Sequence, residues 1–389
     1  MDSKKKAEGG RWKVEVNKKG SEDRGQGVKW SSGQVEEKLP ARNCKSTLAG
    51  QASNPRTLDP LTPAVNVIDK FKEKKICVIG DIIADVYIFG KPYRLSREAP
   101  VVVVKYEGQI VFPGSAGNTI NNLLALGAQV SPLGFIGNDS PGNKLFEYFL
   151  QHKTIDPTGL VRYKGNTTTK TRILAGDTHT SKQQVIRIDR ESDTPVPQSA
   201  KKSLLKRLEE LAPEMDAFIV SDYGHGTVDG KVIHLMRELA KERIVTGDSR
   251  YNLKDFKGFT IITPNESEAY TLAALSESHS IEDVGKRIME FMDLTALLIT
   301  RGNQGMSLFL KTGEVFHIPI SGTDDVTDVT GAGDTVCAAL TLSLASGIGF
   351  YHASCIANYA AGVVVMKRGT ATVNPEELKK AMENYGTSY

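Results

Sequence analysis

The nine residues DVTGAGDTV, Asp328 to Val336, set the small residues Gly331, Ala332 and Gly333 against a carboxylate, Asp334, just before a long apolar segment. Small residues let the backbone bend sharply and approach a ligand with no Cβ in the way. A helix starting here leaves its first N–H groups unpartnered and turns its positive end toward the turn. Such a helix start is an anion site, most often for phosphate. Asp334 then has two readings. It caps the helix, which is what spacing alone favours, or it takes the proton from a hydroxyl that attacks phosphorus. Asn265 and Glu268, three apart in TPNESEA behind an apolar run, pose the same choice. Polar and acidic groups at the C-terminal end of a strand stand where open α/β sheets bind ligands, and this pair can orient water around Mg²⁺ or nucleotide phosphates. Equally, it can be a capping box. Lys170 and Arg172 alternate by two and share one face of a strand; taken alone they are a solvated surface pair.

These residues need elements to hold them. KKICVIGDIIADVYIFG reads as a buried strand, a turn at Gly80-Asp81 and a second extended run, and VVVVKYEGQIVFP continues β-rich to Gly114. NTINNLLALG has helical period and ends on Gly127, and Pro141 opens a further helix. TTTKTRILA and QQVIRID read as paired strands. From MDAFIVSD onward strand and helix alternate, which predicts a parallel sheet covered by helices on both faces. The early β-rich pieces fall outside that rhythm and predict a small extra sheet, a flap over a cleft built from segments near 86–112 and 160–190.

The chain has 389 residues, 40% hydrophobic and 24% charged, ordinary for a globular protein. Its charge is uneven: 17 basic against 10 acidic residues up to Lys75, then 32 against 36. A mildly acidic body argues against nucleic acid as the partner. Residues 1–65 lack apolar periodicity and are expected to form a disordered basic tail, with one domain over 66–389. Cys44, Cys77, Cys337 and Cys355 form no CxxC pair, so reduced thiols and a cytoplasmic location are expected. No secretory signal or membrane-length apolar run is evident. There is no GxxxxGK[ST] motif and no protein-kinase motif set.

DVTGAGDT resembles the C-terminal signature of the ribokinase-like (PfkB) carbohydrate kinases, NESE matches their N-x-x-E motif, and PGSAGN (Pro113 to Asn118) resembles their N-terminal signature. Within that family, YRLSREAPVVVVK and six further segments are similar, in order, to D-glycero-β-D-manno-heptose 7-phosphate kinases. The resemblance implies a three-layer α/β/α fold with a mostly parallel central sheet and a β-rich lid. It implies transfer of the γ-phosphoryl group of ATP, with Mg²⁺ and a monovalent cation, to a sugar hydroxyl, here C1 of the heptose 7-phosphate. Asp334 would be the general base and the N–H groups of Gly331, Ala332 and Gly333 the anion hole. Asn265, Glu266, Ser267 and Glu268 would face ATP and its metal, with Glu268 reaching Mg²⁺ through water. Thr300, Gly302 and Asn358 would line the adenine and ribose side. Asp85, Gly114 and Asn118 would hold the sugar, with Lys170 and Arg172, and further Arg187, His225 and Arg250, as cations for its phosphate. No HxGH-type nucleotidyl-transfer motif follows, so only the kinase step is implied, and lid pairing implies a homodimer. The chain departs from the pattern at Ser115 and Gly117, at His225 in Asp222-Tyr223-Gly224-His225-Gly226, and at Asp248-Ser249-Arg250. The alternatives are a kinase for another sugar or nucleoside and a catalytically silent sugar-binding or scaffold protein.

Overall fold

Strands whose residues point alternately to two buried faces read as nearly unbroken apolar runs, and KICVIG, AFIVSD and ALLIT are three of them. In a computed structural model, which describes residues 12–15, 29–32, 62–176, 182–192, 194–321, 327–367 and 369–385, Ile76, Val78, Ala217, Ile219, Ala296 and Leu298 belong to one hydrophobic core. Their neighbours Cys77, Ile79, Phe218, Val220, Leu297 and Ile299 belong to a second. The first core is completed by the helices Ala116–Ala125, Ala332–Ala345, Phe350–Val365 and Pro375–Tyr385, the second by Gln198–Leu211, Gly230–Leu239, Glu266–Ala273 and Ile281–Met292. The two cores are the two faces of one sheet.

In chain order the described strands are β1 (Trp12–Glu15), β2 (Lys29–Ser32), β3 (Lys75–Gly80), β4 (Ile82–Leu95), β5 (Val102–Ser115), β6 (Gln129–Gly137), β7 (Leu160–Tyr163), β8 (Thr169–Ala175), β9 (Gln183–Arg190), β10 (Ala217–Asp222), β11 (Ile244–Ser249), β12 (Ile261–Ile262), β13 (Ala296–Thr300), β14 (Met306–Leu310) and β15 (Val315–Ile318). Of the expected tail, β1 and β2 pair with each other and a helix begins at Thr62; the rest lies outside the described residues. The large sheet runs β15-β14-β13-β12-β11-β10-β3-β6-β7. It is parallel from β13 to β7, and β14 and β15 join antiparallel. The order turns back between β3 and β10, since the chain leaves β3 toward β6 and later returns beside β3 to build the other half. Ligands of open α/β sheets bind at such a switch point, beyond the carboxyl ends of the strands.

The flap is a separate four-stranded sheet of order β5-β4-β8-β9. It rises from this edge because β4 follows β3 after one residue, Asp81, and returns as β5 straight into the helix at Ala116. The second of the two expected flap segments, 160–190, includes Leu160–Tyr163, but this strand pairs with β6 and forms the edge of the large sheet instead. Two of its four residues are buried, Leu160 in the first core and Tyr163 in the second, so this edge strand is covered on both faces.

Candidate active site

Asp334 lies in the first turn of the helix Ala332–Ala345, yet it does not cap that helix. The N-cap position is Gly331, at φ 84°, and it supplies no side-chain cap. Asp334 instead reaches across to the helix Ala116–Ala125. Its Oδ2 accepts from Asn118 Nδ2 at 2.8 Å, and its Oδ1 accepts from Thr119 Oγ1 at 3.0 Å. A third donor, the Tyr223 hydroxyl beyond the end of β10, reaches Oδ1 at 3.1 Å. The capping alternative therefore fails, because the facing helix offers donors that sequence spacing cannot display. At the helix start the Ala332 N–H is taken by the Val329 carbonyl at 3.2 Å, and no side chain caps the turn, which leaves the kind of helix N-terminus that anion sites use. Gly331 is doubly constrained: its φ is positive, and a Cβ there would stand 2.5 Å from Asn118 Nδ2. Ala332 is half-buried, and Gly333 is exposed with open space where a Cβ would be.

Asp334 is only 7% exposed. Burial lifts its carboxyl to about 6 against the opposing pull of the three donors, with the nearby Asp85 carboxylate adding to the rise. A carboxyl held near neutrality in a cleft is suited to general base catalysis. Beside it, Asn118 Oδ1 is buried without a partner among the described residues. Such an atom is costly to leave unpaired and is able to accept from a ligand hydroxyl.

The flap brings Asp85, Lys170 and Arg172 to this point. In-register pairing of β4 with β8 sets Asp85 beside Lys170, and Arg172 Nη1 meets Asp85 Oδ1 at 2.5 Å. Arg172 also lies over the Tyr87 ring at 5.3 Å. Lys170 Nζ lies 5.5 Å from the centre of the Tyr223 ring, and burial holds its ammonium below the usual lysine range. Both cations are half-buried, so the surface-pair alternative does not hold. Gly114 makes room for Asp85, whose Oδ2 would stand 2.5 Å from a Cβ at that position. Arg187, directly opposite Arg172 in the ladder, is exposed and paired to Asp189 of its own strand. Arg250 is exposed beyond β11, with Tyr251 under its guanidinium. His225 contributes its backbone N–H, 3.0 Å from Asp81 Oδ2.

Asp81 was not singled out in the sequence. It sits in the switch-point crevice, 2% exposed, and accepts from the N–H groups of Tyr223, His225 and Thr227 at 2.9, 3.0 and 3.1 Å. Asp222 similarly accepts from Ser249 Oγ and Asn252 Nδ2 at 2.8 and 3.0 Å. Together they fold the loop that carries Tyr223. An acid directly after a buried strand, as in Gly80-Asp81, was the available signal.

On the nucleotide side the capping box is real. Asn265 Oδ1 accepts from Glu268 N, and Glu268 Oε2 accepts from Asn265 N, both at 2.9 Å. The box does not exhaust these residues, since Glu268 Oε1 remains beyond it and burial lifts the carboxyl above its usual range. Asn265 bridges to Thr300 at the end of β13, bringing the two candidate segments together. Glu266 meets Arg301 at 3.5 Å, while Ser267 is exposed and its carbonyl accepts from Thr271. Gly302 has φ 55°, at the start of a short 3₁₀ turn. Asn358 is 5% exposed and donates to the Pro319 carbonyl at 2.7 Å, anchoring the chain after β15. A cleft of about 650 Å³ lies along Arg250, Asn265, Ser267, Glu268 and Thr271. Among the described residues no group of three or more His, Cys, Asp or Glu could hold a metal by itself. A single carboxylate beside a phosphate site fits Mg²⁺, which is commonly held by one or two carboxylates plus substrate phosphates. Among the same residues no helix is long and apolar enough to cross a membrane.

The pattern of the pfkB family carbohydrate kinases matches residues 73–377. The bifunctional protein HldE of Geobacter sulfurreducens is 41% identical over 307 residues, which are 77% of this chain and 61% of that protein. Its namesake from Paramagnetospirillum magneticum is 34% identical over 327 residues, 83% of this chain and 66% of that one. The chain thus spans under two thirds of the length of these relatives. Among solved structures, ribokinase of Arabidopsis thaliana complexed with ribose and ATP superposes with a TM-score of 0.61 at 16% identity, covering 80% of this chain and 98% of that one. Phosphofructokinase-2 of Escherichia coli in complex with potassium gives 0.65 at 15% identity, covering 81% and 99%. At these identities the structures speak to the fold alone, a ribokinase-like one.

Proposed function

This chain belongs to the pfkB family of carbohydrate kinases, and on that footing we propose that it transfers the γ-phosphoryl group of ATP to a sugar hydroxyl, with Asp334 as general base. The observation that carries the reading is a buried carboxylate, at about 6, set in the first turn of a helix with uncapped N–H groups at the switch point. The sugar hydroxyl gives its proton to Asp334 as its oxygen forms a bond to the γ-phosphorus and the bond to ADP breaks. The N–H groups of Gly331 and Gly333 face the charge on the transferring group, while that of Ala332 is held by the Val329 carbonyl. Asn265 and Glu268 hold the nucleotide end, and bound Mg²⁺ supplies charge neutralisation across the phosphates. Thr300, Gly302 and the helix carrying Asn358 border the adenine side. A monovalent cation belongs to the same reading, supported by the potassium complex of the solved relative.

The favoured acceptor is the C1 hydroxyl of D-glycero-β-D-manno-heptose 7-phosphate. The support is the ordered similarity of YRLSREAPVVVVK and its companion segments, the identity to the HldE proteins, and the cations Lys170 and Arg172 beneath the flap. Asp85, Gly114 and Asn118 hold the sugar hydroxyls. A different sugar is the second reading, favoured by Ser115, His225 and Ser249, which replace the residues the group carries at those positions. ADP release on sugar 7-phosphates beside unphosphorylated hexoses decides between them, and turnover on neither class defeats the kinase reading. The exposed apolar residues Tyr93, Leu95, Tyr106, Val185 and Ile188 all lie on the flap, which supports a homodimer joined there; a monomer in solution defeats that part. The reaction's use of ATP supports a cytoplasmic setting, checked by fractionation.

A further inference from the structure

The three donors around Asp334 are shared unequally between its oxygens. Oδ1 receives both the Thr119 hydroxyl and the Tyr223 hydroxyl, whereas Oδ2 receives only the Asn118 amide. An ionised carboxylate offers about four lone-pair directions, two on each oxygen. Oδ1 is therefore full, and Oδ2 keeps one direction open among the described residues. Tyr223 is tied at other points as well. Its backbone N–H is tied to Asp81, its ring lies beneath the Lys170 ammonium of the flap, and its hydroxyl is held well above the usual phenol range by burial and by Asp334, so it remains a donor.

We propose that Tyr223 is a positioning residue which, with Thr119, closes Oδ1 of Asp334 so that the proton of the acceptor hydroxyl is taken at Oδ2. In this step the acceptor O–H bond breaks as the new O–P bond forms, the proton passes to Oδ2, and the electron pair of the breaking O–P bond leaves with ADP. The inference rests on Asp334 being the general base. It adds to that reading a role for a residue 111 positions away in the chain. It also gives the flap a route to the base, because Lys170 of β8 covers the ring whose hydroxyl holds the carboxylate.

The test is the pH profile of kcat and kcat/KM for Tyr223→Phe, which keeps the ring under Lys170 and removes only the donor. The charged and titratable groups facing Asp334 are Asp85 of the flap, Asp248 at the end of β11, Cys337 on its own helix and Tyr223 itself. Only the last is altered. Removing a hydrogen bond to the ionised form disfavours that form, so the acidic limb moves upward by about one pH unit, a tenfold change at fixed pH on the limb. The plateau kcat falls while KM for ATP is unchanged. Thr119→Val, on a different element, moves the limb the same way and carries the test if Tyr223→Phe fails to fold, which melting curves reveal. A limb that stays in place in both folded variants overturns the inference, since a purely structural role lowers the rate without moving it. If instead Asp334→Asn keeps its turnover, the base reading itself falls, and the two failures are distinct.

Discussion

Replacing Asp334 by Asn removes a carboxylate that the fold holds against its ionisation. The carboxyl rises from an ordinary 3.8 to about 6, chiefly through burial. A shift of about two pH units corresponds to roughly 3 kcal/mol between the two protonation states. The sign follows from proton binding. Between about pH 4 and pH 6 the native state holds a proton that the unfolded chain has released, so the stability of the wild-type protein falls as pH rises through that window and levels above it. Asn cannot ionise and keeps a carbonyl that accepts from Thr119 or Tyr223. Asp334→Asn is therefore expected to be more stable than wild type by about 2–3 kcal/mol above pH 7, with the advantage shrinking toward zero near pH 4. Urea unfolding of both proteins from pH 4.5 to 8 reads this directly, provided the transition is two-state. A stability difference that is flat across that range, or a variant less stable at pH 8 than at pH 4.5 relative to wild type, refutes the placement of an ionised, desolvated carboxylate at this position.

Two further outcomes follow from the same geometry. Ser115 holds φ 54° and ψ −126°, a backbone region that suits glycine, at the junction of β5 with the helix Ala116–Ala125; strain of this kind costs on the order of 1–3 kcal/mol, so Ser115→Gly is expected to raise the melting temperature, and a lowered one contradicts the strain. Arg172→Met leaves Asp85, 5% exposed, without its ion-pair partner; the fold is expected to lose up to roughly 3–5 kcal/mol of stability in urea unfolding, and KM for the sugar to rise with KM for ATP unchanged, whereas equal effects on both substrates would contradict the placement of this pair on the sugar side.

How far the sequence carried the structure depends on how local each signal was. The alternation of Ile76 and Val78 with Cys77 and Ile79 was visible as an apolar run, and the two faces it serves follow from period two alone. The capping box of Asn265 and Glu268 was legible because both partners lie within one helical turn. For Asp334 the same local logic misled. An acid in the first turn reads as a cap, and only the helix Ala116–Ala125, over two hundred positions earlier, reveals donors that draw it away. The Lys170–Arg172 spacing gave the shared face but not the burial, which comes from Asp85 and Tyr223 on other elements. Leu160–Tyr163 was assigned to the flap because strand pattern does not encode which sheet a strand joins. The element a motif sits on was thus more legible than the distant contacts that orient its side chains.

The central claim, that Asp334 takes the proton in phosphoryl transfer, is tested most directly by ADP release from Asp334→Asn beside wild type, with ATP saturating and sugar 7-phosphate as acceptor. Loss of turnover by roughly 10²–10⁴-fold, with nucleotide binding by calorimetry unchanged, is the expected result. Turnover within a few-fold of wild type contradicts it.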